Sequence, residues 1–272
     1  MTYNQTLLPA LAHQLEHFVL TSPENIVPEL GAMRIFERPW LAVASADDLL
    51  WETLKQPEVV GAQHRSPAEW LAGARSIISC FFPFAERIRA ANRLPGEPAQ
   101  EWLYGRYEGA AFLDAACAFL RDAVQQAGGQ AVAPSLDDRF AVVDLRSNWS
   151  ERHAAFIAGL GTFSLNRSLI TEAGSAGRLG SVIADVALKP TPRAYTEFDE
   201  YCNHCGACLK RCPPHAINEN GKDNAVCAQY LKETKTRYQP RYGCGKCQTG
   251  LPCEAAIPPV QKTQAQREVT GS

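Results

Sequence analysis

Long apolar runs are missing from this 272-residue chain. No 18-residue window escapes both charge and proline, so no helical membrane span is expected. The start, Met1-Thr2-Tyr3-Asn4, has neither a basic stretch leading into an apolar core nor a twin-arginine pair, which argues against export and for a cytoplasmic protein. An excess of one charge sign is missing too. With 27 Lys+Arg against 29 Asp+Glu the formal net charge is −2, and no broad basic field is present to hold a nucleic acid. No Gly-x-Gly-x-x-Gly follows a strand-like segment, so a dinucleotide fold is not indicated. Cysteine is scarce before residue 202. Cys80 and Cys117 stand alone among apolar neighbours and read as small buried hydrophobes. Disorder is excluded as the main state, because 46% hydrophobic against 21% charged residues leaves ample apolar mass for a core.

What is present comes in two blocks. Residues 1–192 alternate helical and strand-like segments, predicting an α+β domain. Helices are expected over Leu7–Leu20, over Ala46–Gln56 with Ser45 as cap, over Glu101–Ala127, and over Ser150–Ala158. Strands are expected at Trp40–Ala44, Ser76–Phe82, Phe140–Val143 and Leu179–Leu188. Leu94–Pro98 reads as a loop, and Pro190 to Tyr201 as the linker into a second block, 193–272, whose tail after Pro259 is polar and expected to fray.

The second block holds eight of the ten cysteines. Cys202-Asn-His-Cys205-Gly-Ala-Cys208-Leu-Lys-Arg-Cys212-Pro213 is the C-x2-C-x2-C-x3-C-P run of bacterial ferredoxins. Thiolates two residues apart let one short loop wrap three corners of a cubane, and the fourth cysteine of such a run ligates the other cluster. A second set is therefore required, and Cys227, Cys244, Cys247 and Cys253 supply it. The crossing rule assigns Cys202, Cys205, Cys208 and Cys253 to one [4Fe–4S] site, and Cys212, Cys227, Cys244 and Cys247 to the other. Cys253 is followed by Glu254 rather than proline, a departure from the ferredoxin form. Zinc is the alternative for Cys-x-x-Cys pairs, but zinc ribbons rarely need a third cysteine two residues on. Eight Lys/Arg against three Asp/Glu over 202–253 would offset the anionic charge of two cubanes.

Two clusters joined to so large a front domain imply electrons delivered to something held there. The acceptors considered are a corrinoid, a flavin, or a docked partner served by a non-catalytic electron carrier. Trp149-Ser-Glu-Arg152-His-Ala-Ala-Phe-Ile-Ala-Gly-Leu-Gly161, then Asn166, Leu169-Ile170, Leu179-Gly180 and Asp185, followed by the cysteine module, resembles the epoxyqueuosine reductase family, relatives of the reductive dehalogenases. The resemblance covers roughly residues 100 to 258. It implies a flavin-reductase/nitroreductase-like front domain that binds cobalamin base-off, a ferredoxin-like domain facing it, and reductive chemistry at a carbon–heteroatom bond. It also implies a low-potential electron donor such as ferredoxin or flavodoxin, and a small-molecule or modified-nucleoside substrate.

The resemblance implies an aspartate proton donor just ahead of the Glu-Arg pair, for which Asp144 is the nearest candidate, displaced by one residue. Tyr104 and Arg106 near the start of the long helix, with Gly161 and Asn166, are the cofactor-binding candidates. The chain departs from the family at Ser164-Leu165, where Gly-Lys is usual, and at Gly105-Arg106-Tyr107-Glu108-Gly109, which lacks the usual Asp and His. It reads as a short form without the helical-repeat domain of tRNA-modifying members. With the net charge of −2, this argues against tRNA as the substrate.

Overall fold

Eight consecutive buried residues, Ser-Ile-Ile-Ser-Cys-Phe-Phe-Pro, form the strand on which the molecule is built. In the computed structural model, which describes residues 3–259, the main sheet has four strands: β1 (Trp40–Ser45), β2 (Ser76–Pro83), β3 (Ala131–Val132) and β4 (Gly177–Ala184). Their order is β1-β2-β4-β3 and every pairing is antiparallel. Both faces are covered, so β2 is apolar on both sides instead of alternating with polar residues. One face, with Ile78, Cys80, Phe82 and Val182, packs against helices α1 (Tyr3–Thr21) and α3 (Gln100–Gln126). The other, with Ile77, Phe81 and Ile183, packs against α4 (Glu151–Ala158) and three tryptophans, Trp51, Trp70 and Trp149. Helix α2 (Glu86–Arg93) leaves the end of β2 and lies against α3.

The α+β expectation holds in this coarse form: a mixed fold of small antiparallel sheets and flanking helices. Individual elements depart from it. The helix expected over Ala46–Gln56 is a single turn, Leu50–Thr53, and Ser45 ends β1 instead of capping a helix. Ser45 Oγ accepts from Asp47 N and Asp48 Oδ1 from Leu50 N, so short polar side chains hold a turn where helix would have run. The strand expected at Phe140–Val143 shrinks to Val142–Val143, exposed and paired only with Arg146–Ser147. The linker is not free chain. Thr191 N donates to Val43 O at 2.9 Å and Thr191 Oγ1 accepts from Val43 N at 3.0 Å, which covers the edge of β1. The tail expected to fray lies outside the described residues.

The cysteine-rich part adds α5 (Ala207–Arg211), a two-residue hairpin (Ile217–Asn218 with Gly221–Lys222) and α6 (Asn224–Tyr238). The last is capped by Asp223, whose carboxylate accepts from Ala225 N and Val226 N. No helix among the described residues is long and apolar enough to cross a membrane.

Candidate functional site

Gly206, at φ 68°, turns the chain into α5 so that Cys202, Cys205 and Cys208 wrap one small cavity. Cys253 completes its lining from the far end of the module. A second, larger cavity of about 420 Å3 is lined by Cys212, Cys227, Cys244 and Cys247. The eight thiols thus fall into two sets of four around two spaces. Among the described residues, no three His, Cys, Asp or Glu side chains converge on a point that would hold a single metal ion. Backbone N–H groups turn toward sulfur here, as Ala216 N donates to Cys212 Sγ at 3.2 Å. His215, close by at φ 51°, and His204, at φ 50°, sit in left-handed turns beside the thiols.

The front domain holds both sets in place. Asn92 Nδ2 donates to Cys244 O at 3.0 Å, Asn166 Nδ2 donates to Cys247 O, and Ser175 N donates to Cys253 O at 2.9 Å. Ser175 Oγ reaches Cys253 Sγ at 3.8 Å. Gly245 packs against α3 so closely that a Cβ there would fall 1.9 Å from the Trp102 ring, and its φ of +65° favours glycine independently. Glu254, the residue departing from the ferredoxin pattern, is buried and pairs with Arg93 at 2.6 Å.

The larger cavity is shared between the two parts. It lies where the end of β2 meets the start of β4, with Phe81, Phe84, Trp102, Trp149 and Leu179 as apolar walls. Arg106, Arg152, Arg178 and Lys222 also line it, and no histidine does. Burial pushes the Glu151 carboxyl up to about 7, and both its oxygens lie beneath the surface without a hydrogen-bond partner. Ser181 Oγ and Trp149 Nε1 sit beside that carboxyl but bond to each other, at 2.9 Å. Burial, with Arg106 and Arg152 nearby, lowers Arg178 to about 9.

Of the front-domain candidates, only Arg106 lines the larger cavity, with its guanidinium 4.3 Å over the Tyr242 ring. Tyr104 lies under the Arg241 guanidinium at 3.5 Å and lines neither cavity. Two residues apart on a helix means nearly opposite faces, so these two could not both face one pocket. Gly161 opens the hairpin Gly161–Phe163/Leu169–Thr171, where a Cβ would strike the Ile170 carbonyl at 1.9 Å; its glycine serves that close approach. Asn166 lines the smaller cavity, accepting from Ser164 Oγ and Ser168 N while it donates to Cys247 O. Asp144 is exposed at the tip of the Val142–Val143/Arg146–Ser147 hairpin with φ 49°, outside the lining of either cavity. The hairpin's flanks, Phe140 and Ser147, do line the larger one. Sequence reasoning quoted Glu151 and Arg152 within the resembling motif but gave no role to them, and it did not single out Arg178 or Trp102. Trp102 was accessible to it, four residues before Arg106 on the same helix face.

A small helix-flanked antiparallel sheet, closed at one end by a cysteine module around a shared cavity, defines the class. No protein-family model matches the chain. Over 106 residues it is 33% identical to an epoxyqueuosine reductase of Listeria monocytogenes, a match spanning 35% of this chain and 27% of that protein. An epoxyqueuosine reductase of Aliivibrio fischeri is 33% identical over 114 residues, spanning 38% of this chain and 30% of its own. The matched stretch is thus about a third or less of each curated relative. In fold, the chain resembles epoxyqueuosine reductase from Streptococcus thermophilus (TM-score 0.54, 16% identity, 99% of this chain and 75% of that one). It also resembles an epoxyqueuosine reductase solved with an epoxyqueuosine-modified tRNA-Tyr stem loop (TM-score 0.56, 19% identity, 91% and 66%). A B12-dependent reductive dehalogenase shares the fold as well (TM-score 0.52, 14% identity, 85% and 31%). Over these matched stretches the chain is similar to epoxyqueuosine reductases, the family its sequence resembles.

Proposed function

We propose that this chain is an iron–sulfur reductase of the epoxyqueuosine reductase type, carrying two [4Fe–4S] clusters and a base-off cobalamin. The observation that supports it most is the division of the eight cysteines. One set lines a small cavity bordered by Leu165, Asn166 and Ile170, and the other opens on the large cavity walled by the front domain's aromatic residues. The first cluster would be held by Cys202, Cys205, Cys208 and Cys253. The second would be held by Cys212, Cys227, Cys244 and Cys247, on the side facing the front-domain cofactor. Residues 1–192 would form the nitroreductase-like cofactor domain and 193–272 the ferredoxin-like one. Four thiols around a space match a cubane's donor set. Phe81, Phe84, Trp102, Trp149 and Leu179 would hold a corrin's apolar edges, and Arg106, Arg152 and Arg178 its polar groups.

When bound, cobalamin supplies a low-potential metal centre for two-electron reduction at a carbon–heteroatom bond. The chain's own residues do the rest. Phe81, Phe84, Trp102 and Trp149 exclude water from the shared cavity, and Arg106 supplies positive charge on its wall. Asp144, on the hairpin beside the cavity mouth, is the proposed proton donor. Electrons would come from a low-potential donor protein such as a ferredoxin or flavodoxin. The flavin alternative finds no support among the relatives. One neighbour in fold was solved with a tRNA stem loop, so, against the expectation from net charge, a modified nucleoside within RNA belongs among the substrates to be screened.

The test is anaerobic electron paramagnetic resonance of the cluster-reconstituted chain titrated with cob(II)alamin, alongside iron analysis. The expected result is about eight iron atoms per chain and a stoichiometric base-off spectrum without nitrogen hyperfine splitting. An unchanged free-cobalamin spectrum beside intact cluster signals would overturn the corrinoid reading and leave an electron carrier.

A further inference from the structure

Buried cations normally meet an anion, because removing an ion from water without a partner is costly. Arg106, Arg152 and Arg178 line one cavity, yet none of them forms an ion pair among the described residues. The Arg152 guanidinium has no hydrogen-bond partner there at all. The Arg106 guanidinium has only the Tyr242 ring. Arg178 spends one Nη2 bond on the Arg106 carbonyl at 2.8 Å, and its buried Nε is unsatisfied. The acids nearby do not close the gap. Glu151 keeps its oxygens under the floor and holds its proton to about 7, and Asp114 on α3 faces Arg178 without pairing with it.

The second cysteine set can answer two of these charges. Arg106 feels Cys227, and Arg152 feels Cys227 and Cys247. Arg178, beyond the effect of burial, feels the repulsion of Arg106 most strongly and that of Arg152 as well, opposed by Tyr242 and Asp114. It sits at the start of β4, on the face turned to α3, where the cavity opens between sheet and helix. Arg178 Nη1 is left without a hydrogen bond among the described residues, and a guanidinium beside two others suits the charge of a phosphate or carboxylate.

We infer that the shared cavity binds an anionic group, a phosphate or a carboxylate, gripped by Arg178 with Arg152 and Arg106. The group has two possible sources, the phosphodiester of a cobalamin nucleotide tail or an anionic substituent of the substrate. Only that choice of source rests on the reading proposed above.

Inorganic phosphate is the probe, titrated into the cluster-reconstituted chain at constant ionic strength against chloride and followed by calorimetry. Saturable binding is expected, weakened about tenfold or more in Arg178→Gln and less in Arg178→Lys, with iron content unchanged. Should Arg178→Gln fail to fold, Arg178→Lys reads the same site through the loss of its fork. Absence of saturable binding, or wild-type affinity in the folded variants, overturns the inference. Repeating the titration with cob(II)alamin present separates the sources. If phosphate displaces cobalamin, the cofactor's phosphodiester is the anion; if both bind together, the anion belongs to the substrate. Phosphate binding without any cobalamin signal would sink the corrinoid reading and leave the anion site standing.

Discussion

Two buried groups flank Trp149 and respond to pH in opposite senses. His64 is 1% exposed, stacks on Trp149 at 5.7 Å between ring centroids, and has neither ring nitrogen hydrogen-bonded. Burial lowers it to about 4 from an ordinary 6.5. The unfolded chain then binds more protons between those values, so stability rises with pH through that window and is lost as pH falls toward 4. Glu151, raised to about 7 from 4.5, works the other way: the folded chain binds more protons, and stability falls as pH rises from 4.5 to 7. Each shift corresponds to about 3 kcal/mol, so the two nearly cancel near pH 5 to 6. Glu151→Gln should leave a chain whose stability climbs with pH across this range, and His64→Phe one whose stability declines. Urea midpoints at pH 4.5, 5.5 and 7 measure both slopes. Parallel curves for the two variants would show that neither group is buried as described.

At the scale of elements, close packing decides which turns tolerate change. Gly245→Ala would push a methyl into the Trp102 ring and strain a left-handed turn, at a cost of about 1–3 kcal/mol. The expected outcome is a lower melting temperature and iron lost from the second cysteine set before the first, read by iron analysis and by the interacting-cluster signal. The Asp144 hairpin is tested differently. Val142, Val143 and Leu145 around it are 55–62% exposed, so the tip contributes little burial. Asp144→Ala should therefore leave stability within about 0.5 kcal/mol, with cobalamin binding intact and turnover reduced. Unchanged turnover would remove Asp144 from the chemistry.

Legibility followed the same physics. Helix α3 and strand β2 were evident because one has helical spacing with a Gly128-Gly129 stop and the other a continuous apolar run. The two cysteine sets were evident because a cubane loop imposes its own spacing. Helix α6 escaped, although Asp223 offered a capping signal, because its surface is mostly polar and Thr234 is its one buried residue. Arg178 escaped because nothing in a sequence marks a charged residue at a strand's end as facing inward.

At the scale of the molecule, the module is fastened to the front domain by buried polar contacts centred on α2. Lys246, 2% exposed, donates to the carbonyls of Asn92 and Leu94, and Glu254 accepts from Arg93 and from Gly250 N. Glu254→Ala removes the carboxylate from this junction and should cost about 1–2 kcal/mol, since Arg93 is half-exposed and keeps Glu86. Limited proteolysis would report it as new cleavage in the 193–201 segment. A protected segment would mean that the junction holds without the pair.

The cysteine sets interleave along the chain, and this has a consequence for biosynthesis. A ribosome that has delivered Cys247 has released all four thiols of the set facing the shared cavity, while the other set still waits for Cys253. The site on the larger cavity is thus complete first and the one on the smaller cavity last. A chain cut short between these two cysteines would keep the Cys212, Cys227, Cys244 and Cys247 set whole and leave the other set one thiol short.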